Sequence, residues 1–264
     1  MTTRTVLQAL PNLVGVTFWL QLALLVIAVR SVESANWVET PPLIFVVFPA
    51  TLIAAIFARR PLRNSHHMLA ILLGLLAAYL SGLYLTQSNN LILRFSEFHS
   101  RLSIWWDAVT GEDSTTDLLP LSVLLVAITW LAAYFTTWLI FKYKNVWLTL
   151  IPIVGGTIIN LTYLPERFLG YLLAILFVGL LLIVHVTSRR RQADLEIDGT
   201  KYPPSIHRLS MMHGLSLGLV ILLLTTLMPT MESTNPPLKW LFKPMDRSIE
   251  NIRIDLHRIF AAVP

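Results

Sequence analysis

The sequence predicts an all-α fold: a polytopic membrane bundle of about seven transmembrane helices, with an amphipathic helix at the outer interface. Three observations predict it. Of the 264 residues, 55% are hydrophobic and only 13% are charged, whereas ordinary soluble domains carry about 25% charged residues. Charge-free runs recur along the chain, many of them near the ~20 residues that carry a helix across a bilayer. The basic residues between those runs fall unevenly, as they do when loops alternate between two sides of a membrane.

The runs are Leu10–Val29, Leu43–Ala58, Met68–Leu85, Pro120–Phe141, Val146–Leu164, Phe168–Val186 and Leu209–Met228. The first follows Arg4 but is too long for the apolar stretch of a signal peptide. No small-x-small cleavage site follows it, so it reads as an uncleaved span. The second is short and contains Pro49, which predicts a kink. On the third, Gly74, Ala78 and Gly82 recur every four residues and predict a close-packing face. In the fifth, Pro152 with Gly155–Gly156 marks a bend, a close contact or a cavity wall. Within the sixth, Leu169–Val186 contains 13 Leu, Ile, Phe and Val residues, which favours insertion by roughly 4 to 8 kcal/mol.

Between the fifth and sixth runs lies Pro165-Glu166-Arg167. Backbone groups in lipid must bond internally, so a chain turns only at the interface. Proline cannot continue the helix, and the two charges hold the turn among headgroups.

Counting Lys and Arg by alternate segments sets the orientation. One side carries Arg4; Arg59, Arg60 and Arg63; Lys142 and Lys144; and Arg189, Arg190, Arg191, Lys201 and Arg208, eleven in all. The three short segments opposite carry four: Arg30, Arg94, Arg101 and Arg167. The amino terminus is therefore expected in the cytoplasm and the carboxyl terminus outside. The net charge of +5 follows from these topology signals and does not indicate nucleic acid.

Two further segments have helical periodicity. In Leu91–Val109, the residues Leu91, Phe95, Phe98, Leu102, Trp105 and Val109 share one face, which suits a helix lying in the outer interface. Near the end, Ile249, Ile252, Leu256 and Ile259 do the same after a linker rich in proline. Residues 1–228 are thus read as the bundle, and 229–264 as an extracytoplasmic linker and amphipathic helix.

Catalytic signals are sparse. The chain has no Cys, which removes disulfides, thiolate metal sites and cysteine nucleophiles. No HExxH, P-loop, GxSxG or Asp-rich calcium loop occurs. His66 and His67 are adjacent and point to different helix faces. His207 and His213 are six apart, so they do not align on a helix. His185 sits near the cytoplasmic end of its span, where it is expected to snorkel or bond a neighbour. The polar residues within spans, Asn12, Gln21, Thr157, Asn160 and Thr162, are uncharged and are expected to bond between helices. No catalytic, cofactor-binding or metal-ligating residue is assigned, and the bilayer is the expected partner.

The tract "VWLTLIPIVGGTIINLTYLPERFLGYLL", the loop "KYKN" before it, the upstream "SIWWDAVTGE" and the downstream "RRRQADLEIDGTKYP" together resemble the amino-terminal membrane region of bacterial transglutaminase-like proteins of the TgpA type. The resemblance runs from about Trp37 to Pro264 and rests on aromatic and turn positions. It implies a bundle in the bacterial plasma membrane followed by an extracytoplasmic domain with a Cys-His-Asp triad. This chain lacks Cys, so no triad residue carries over, and such a domain is expected after residue 264. The leading expectation is thus a membrane anchor and scaffold for that domain. Two other readings stay open: a small permease or channel subunit, and an intramembrane enzyme acting on lipid or glycan through Asp107, Glu112, Asp113 and Asp117.

Overall fold

The structure, a computed structural model of the chain, describes residues 15–59, 64–86, 88, 90–110, 116–165, 168–197 and 204–227. Regular structure among them is entirely helical. The helices are α1 (Val16–Ala35), α2 (Ile44–Phe57), α3 (Asn64–Leu85), α4 (Leu91–Thr110), α5 (Leu119–Tyr143), α6 (Trp147–Thr162), α7 (Leu169–Ile197) and α8 (Pro204–Leu227). Each predicted apolar run coincides with a helix over its described residues, and the predicted amphipathic segment is α4; residues 10–14 of the first run and Met228 of the last lie outside the described residues. The carboxyl-terminal linker and second amphipathic segment lie outside the described residues.

Among the described residues, four helices are long and apolar enough to cross a membrane: α1, α3 from Ser65, α5, and α7 as far as Arg191. The 14 residues of α2 rise about 21 Å and the 16 of α6 about 24 Å, less than the ~30 Å of a hydrocarbon core. Both contain a proline, Pro49 and Pro152. The apolar stretch of α8, Leu209–Ile221, is also short.

Two boundaries differ from the sequence expectation. Helix α1 continues past Val29, through Arg30 and Glu33, and stops where Asn36 adopts a left-handed conformation at φ 50°. The Arg30–Glu33 pair one turn apart lets the helix run on into a polar setting. Helix α7 likewise continues through Arg189–Arg191 to Ile197. Hydropathy marks where lipid ends, and a helix with satisfied side chains does not stop there.

Helix α5 is the hub, packing against α2, α3, α4 and α6 and touching α1. Helix α7 packs against α1, α6 and α8. Helix α1 runs antiparallel to α5 and α7 and parallel to α6, whose Asn160 near its end meets Ser31 near the end of α1. Ser34 at the end of α1 meets Tyr171 at the start of α7, and Gln21 near the start of α1 meets Thr136 near the end of α5. The bundle therefore has an α4 end and an opposite end.

The outward faces are apolar. Leu72, Leu75, Leu76 and Leu80 on α3, and Leu124 and Ile128 on α5, are exposed. That is far more contiguous apolar surface than a soluble monomer presents.

Helices in lipid gain little from the hydrophobic effect among themselves and cohere by close packing and polar bonds. The small-residue face of α3 shows how. Trp130 on α5 is 4% exposed, and its indole N–H donates to the Ala70 carbonyl at 2.9 Å. Its ring lies directly over Gly74, where a Cβ would collide with Cδ1 and stand 2.9 Å from Cγ and Nε1. Ala78 is buried, and a Cβ at Gly82 would collide with Phe98 of α4. At Gly155 and Gly156 on α6, by contrast, an added Cβ meets nothing within 4 Å.

These differences predict opposite outcomes for one substitution. Gly74→Ala overpacks the α3–α5 contact, because the indole is pinned by its hydrogen bond, and should cost about 1–3 kcal/mol. Gly156→Ala should be neutral or gain up to about 1 kcal/mol from helix propensity. Thermal unfolding of the two purified variants checks this, and equal midpoints would contradict it.

Candidate functional site: the α4 end of the bundle

Charged side chains among the described residues concentrate at the two ends. Between them, Val16–Val29, Ile44–Phe57, Met68–Leu85, Leu119–Phe141, Trp147–Thr162 and Leu169–Val186 contain no Asp, Glu, Lys or Arg. The α4 end holds a set of polar contacts among the described residues, and local sequence explains much of it.

Asp117 lies two residues before α5 and caps it, its Oδ1 accepting from the Leu119 N–H at 3.0 Å. The same carboxylate takes two hydrogen bonds from Arg101 on α4: Nε donates to Oδ2 at 2.6 Å, and Nη2 donates to Oδ1. Such a fork is the strong, directional form of an Arg–carboxylate pair. Glu97, one turn back on α4, stands 3.7 Å from the guanidinium. The Arg101 hydrogen bonds hold the Asp117 carboxyl below the usual carboxylate range, against partial desolvation, and the Leu119 amide adds to the lowering. Arg101 is raised in turn, mainly by its bond to Asp117.

Helix α4 is further fixed by its apolar face. Phe98 is 2% exposed and meets the Tyr79 ring edge-on at 5.2 Å, in the space left by Gly82. The sequence expectation placed this face on the membrane as a whole. Instead Phe98 inserts into the protein, while Leu91, Phe95 and Val109 of the same face remain exposed. Arg94 Nε donates to the Ser88 carbonyl and secures the turn before the helix.

The α1–α2 loop is tied as firmly. Glu33 Oε2 accepts from Arg30 Nη1 at 2.8 Å, and its Oε1 accepts from the Leu43 N–H at 2.6 Å. Trp37 packs edge-on against Tyr163 at 5.3 Å. Ser34 and Tyr171 hydroxyls bond at 2.7 Å. Asn160 Nδ2 donates to both Ser31 O and Ser31 Oγ, at 3.0 and 2.9 Å. Phe168 N–H donates to the Pro165 carbonyl at 3.0 Å; Glu166 and Arg167 of the predicted turn lie outside the described residues. An open hollow of about 430 Å³ lies over Arg30, Glu33, Asn36, Glu39 and Thr40.

Among the polar residues expected to bond between helices, Gln21 and Asn160 do so. Thr157 and Thr162 instead donate to carbonyls one turn back in their own helix, those of Ile153 and Ile158. Asn12 is outside the described residues. His66 and His67 part as expected: His66 lies against Phe57, and His67 Nδ1 bonds the Tyr134 hydroxyl at 3.0 Å while its ring meets Trp138. His185 is 3% exposed, so it is buried in the bundle and does not snorkel.

Of the four acids considered for an intramembrane enzyme, Asp117 is engaged by Arg101 and Leu119, and Asp107 is exposed on α4. Glu112 and Asp113 lie outside the described residues. No group of three His, Cys, Asp or Glu comes together among the described residues. The arrangement at this end clamps backbone and fixes helix ends. Ser31, Ser34 and Tyr171 were not legible as its members, since each finds its partner only through the packing of α1 on α6 and α7; Glu33 was missed because its partner, the Leu43 N–H, comes to it through the fold of the α1–α2 loop. Comparison with protein-family models, curated proteins and solved structures gives no match.

The Arg101–Asp117 fork predicts a pH-dependent stability. The Asp117 native pKa lies below its unfolded value, so its contribution is complete at neutral pH and disappears as the pH falls below about 4. Asp117→Asn keeps the cap acceptor and removes the charge. With the pair partly solvated, it should cost about 1 kcal/mol at pH 7, and the gap from the unmutated protein should close on acidification. An unfolding midpoint difference that persists unchanged at pH 3 would contradict this.

Proposed function

We propose that this chain is a membrane anchor and scaffold: a seven-span bundle holding an extracytoplasmic transglutaminase-like domain of the TgpA type that follows residue 264. In this reading α4 lies at the outer interface, the α4 end faces outward, the amino terminus is cytoplasmic, and the membrane is the bacterial plasma membrane.

The observation that carries the reading is the way the α4 end is clamped. Each helix connection described there is held by a side chain from another turn or helix, and α4 is held by both the Arg101–Asp117 fork and Phe98. Such an end suits a fixed base for something outside. Transport would call for groups that exchange partners across the membrane, and ionisable residues within spans are the usual mark of such paths. The spans here carry no acid, Lys or Arg, and their buried cross-links are neutral. Orientation draws on the eleven-to-four basic imbalance, and the domain assignment draws on the resemblance.

Two measurements test it. Because the chain has no Cys, single cysteines can be introduced singly. In intact cells, an impermeant thiol reagent should label Asp113→Cys and Ser233→Cys but not Gln192→Cys; labelling of Gln192→Cys alone would reverse the orientation. The gene sequence beyond codon 264 should encode a domain containing Cys, His and Asp, and a continuation without one would remove the anchor reading.

A further inference from the structure

We propose that the cleft between α6 and α7 is a binding site for one anionic phospholipid of the leaflet at the end opposite α4. The cleft has a volume of about 490 Å³ and is lined by Trp147, Leu150, Ile151, Gly155 and Ile158 on α6, and on α7 by residues that include Gly179 and Ile183. Its walls are apolar. From Trp147 to Ile158 it runs for eleven residues, about 16 Å, which is close to half of a ~30 Å hydrocarbon core. A slot one leaflet deep fits an acyl chain; a transmembrane helix would need one crossing both leaflets. Gly155 makes the room, since a side chain there would enter the slot, while Gly179 lets Leu150 of α6 approach α7 closely.

Charge at the mouth selects the headgroup. The α7 lining positions step along one face to Ile183. One turn further on that face stands Thr187, and seven residues beyond Ile183 stands Arg190; both are exposed. Side chains on a helix lean toward its amino terminus, so Arg190 leans back toward the cleft. Across the mouth, Lys144 is exposed three residues before Trp147. It is held in a left-handed conformation at φ 52°, where α5 stops and the chain reverses into α6. The amino terminus of α6 adds its positive dipole on the same side. A basic mouth above an apolar cleft between helices is the arrangement that suits a phosphate-bearing lipid. The inference rests on reading α6 and α7 as lying within a bilayer, which the cysteine labelling tests separately.

Native mass spectrometry of the delipidated protein, titrated with phosphatidylglycerol or phosphatidylcholine of identical chains, tests the site. A phosphatidylglycerol adduct should form at about tenfold lower concentration than a phosphatidylcholine adduct. Arg190→Gln should bring the two together. Gly155→Leu, placed where an added Cβ meets nothing within 4 Å, should fill the cleft and weaken both, with the thermal midpoint as a check on folding. Glycerol 3-phosphate without chains should not compete at the same concentration. Equal titration of the two lipids, indifference to the Gly155→Leu filling, competition by glycerol 3-phosphate, or a dimer that Gly155→Leu dissociates would each overturn the proposal.

Discussion

The bundle depends on how α3 meets α5. Trp130 reaches across to the Ala70 carbonyl, and it can do so only because Gly74, one turn on, has no side chain. A large aromatic ring thereby sits against backbone, and its one polar atom is bonded. In lipid, where apolar surface is equally content on either side, this kind of close fit with a satisfied donor is what holds helices together. With α3 set, α5 is positioned to receive α2 on one side and α6 on another. Tyr134, one turn beyond Trp130, then meets His67 of α3, so the same two helices are joined again nearer the opposite end.

A second set of bonds fastens α1 to this core. Gln21 reaches Thr136 of α5 near one end, and Ser31 meets Asn160 of α6 near the other. Neutral side chains suffice, because each needs only a partner and no counter-charge. The charges are kept for the ends, where water and headgroups reduce the cost of exposing them. There the Arg101–Asp117 fork and Glu33 hold the loops. The interior is therefore joined by neutral bonds, and the α4 end adds ionic ones to them.

The short helices α2 and α6 fit this plan. Neither is long enough to cross a bilayer upright, and each contains a proline. Val47, Ala50, Ala54 and Ala55 of α2 are fully buried, so one face of that helix packs on protein, while Phe45 and Phe48 on it are exposed. Helix α6 is buried along the side carrying Thr149, Ile153, Thr157 and Asn160 and open along the side carrying Ile151 and Ile158. That open side, bordered by α7, forms the cleft where lipid would reach deepest into the protein.

Much of the helical plan was legible in the sequence. The length of an apolar run, the absence of charge within it and the turn residues after it are local properties, so all seven runs and the amphipathic segment coincide with helices. The small-residue face of α3 was legible for the same reason, since a four-residue spacing places Gly74, Ala78 and Gly82 on one side whatever lies opposite. What lies opposite was not. Hydropathy is the same whether a face meets lipid or another helix, so Phe98 read as a membrane contact although it enters a pocket beside Gly82. Arg101 entered the sequence reading only as one of the basic residues that set orientation, although Asp117, sixteen residues away, receives it. The polar partners of Gln21 and Asn160 stand more than a hundred residues distant along the chain. Only the packing of α1 against α5 and α6 decided those pairs, because a hydrogen bond depends on where two atoms meet in space and sequence separation does not encode that.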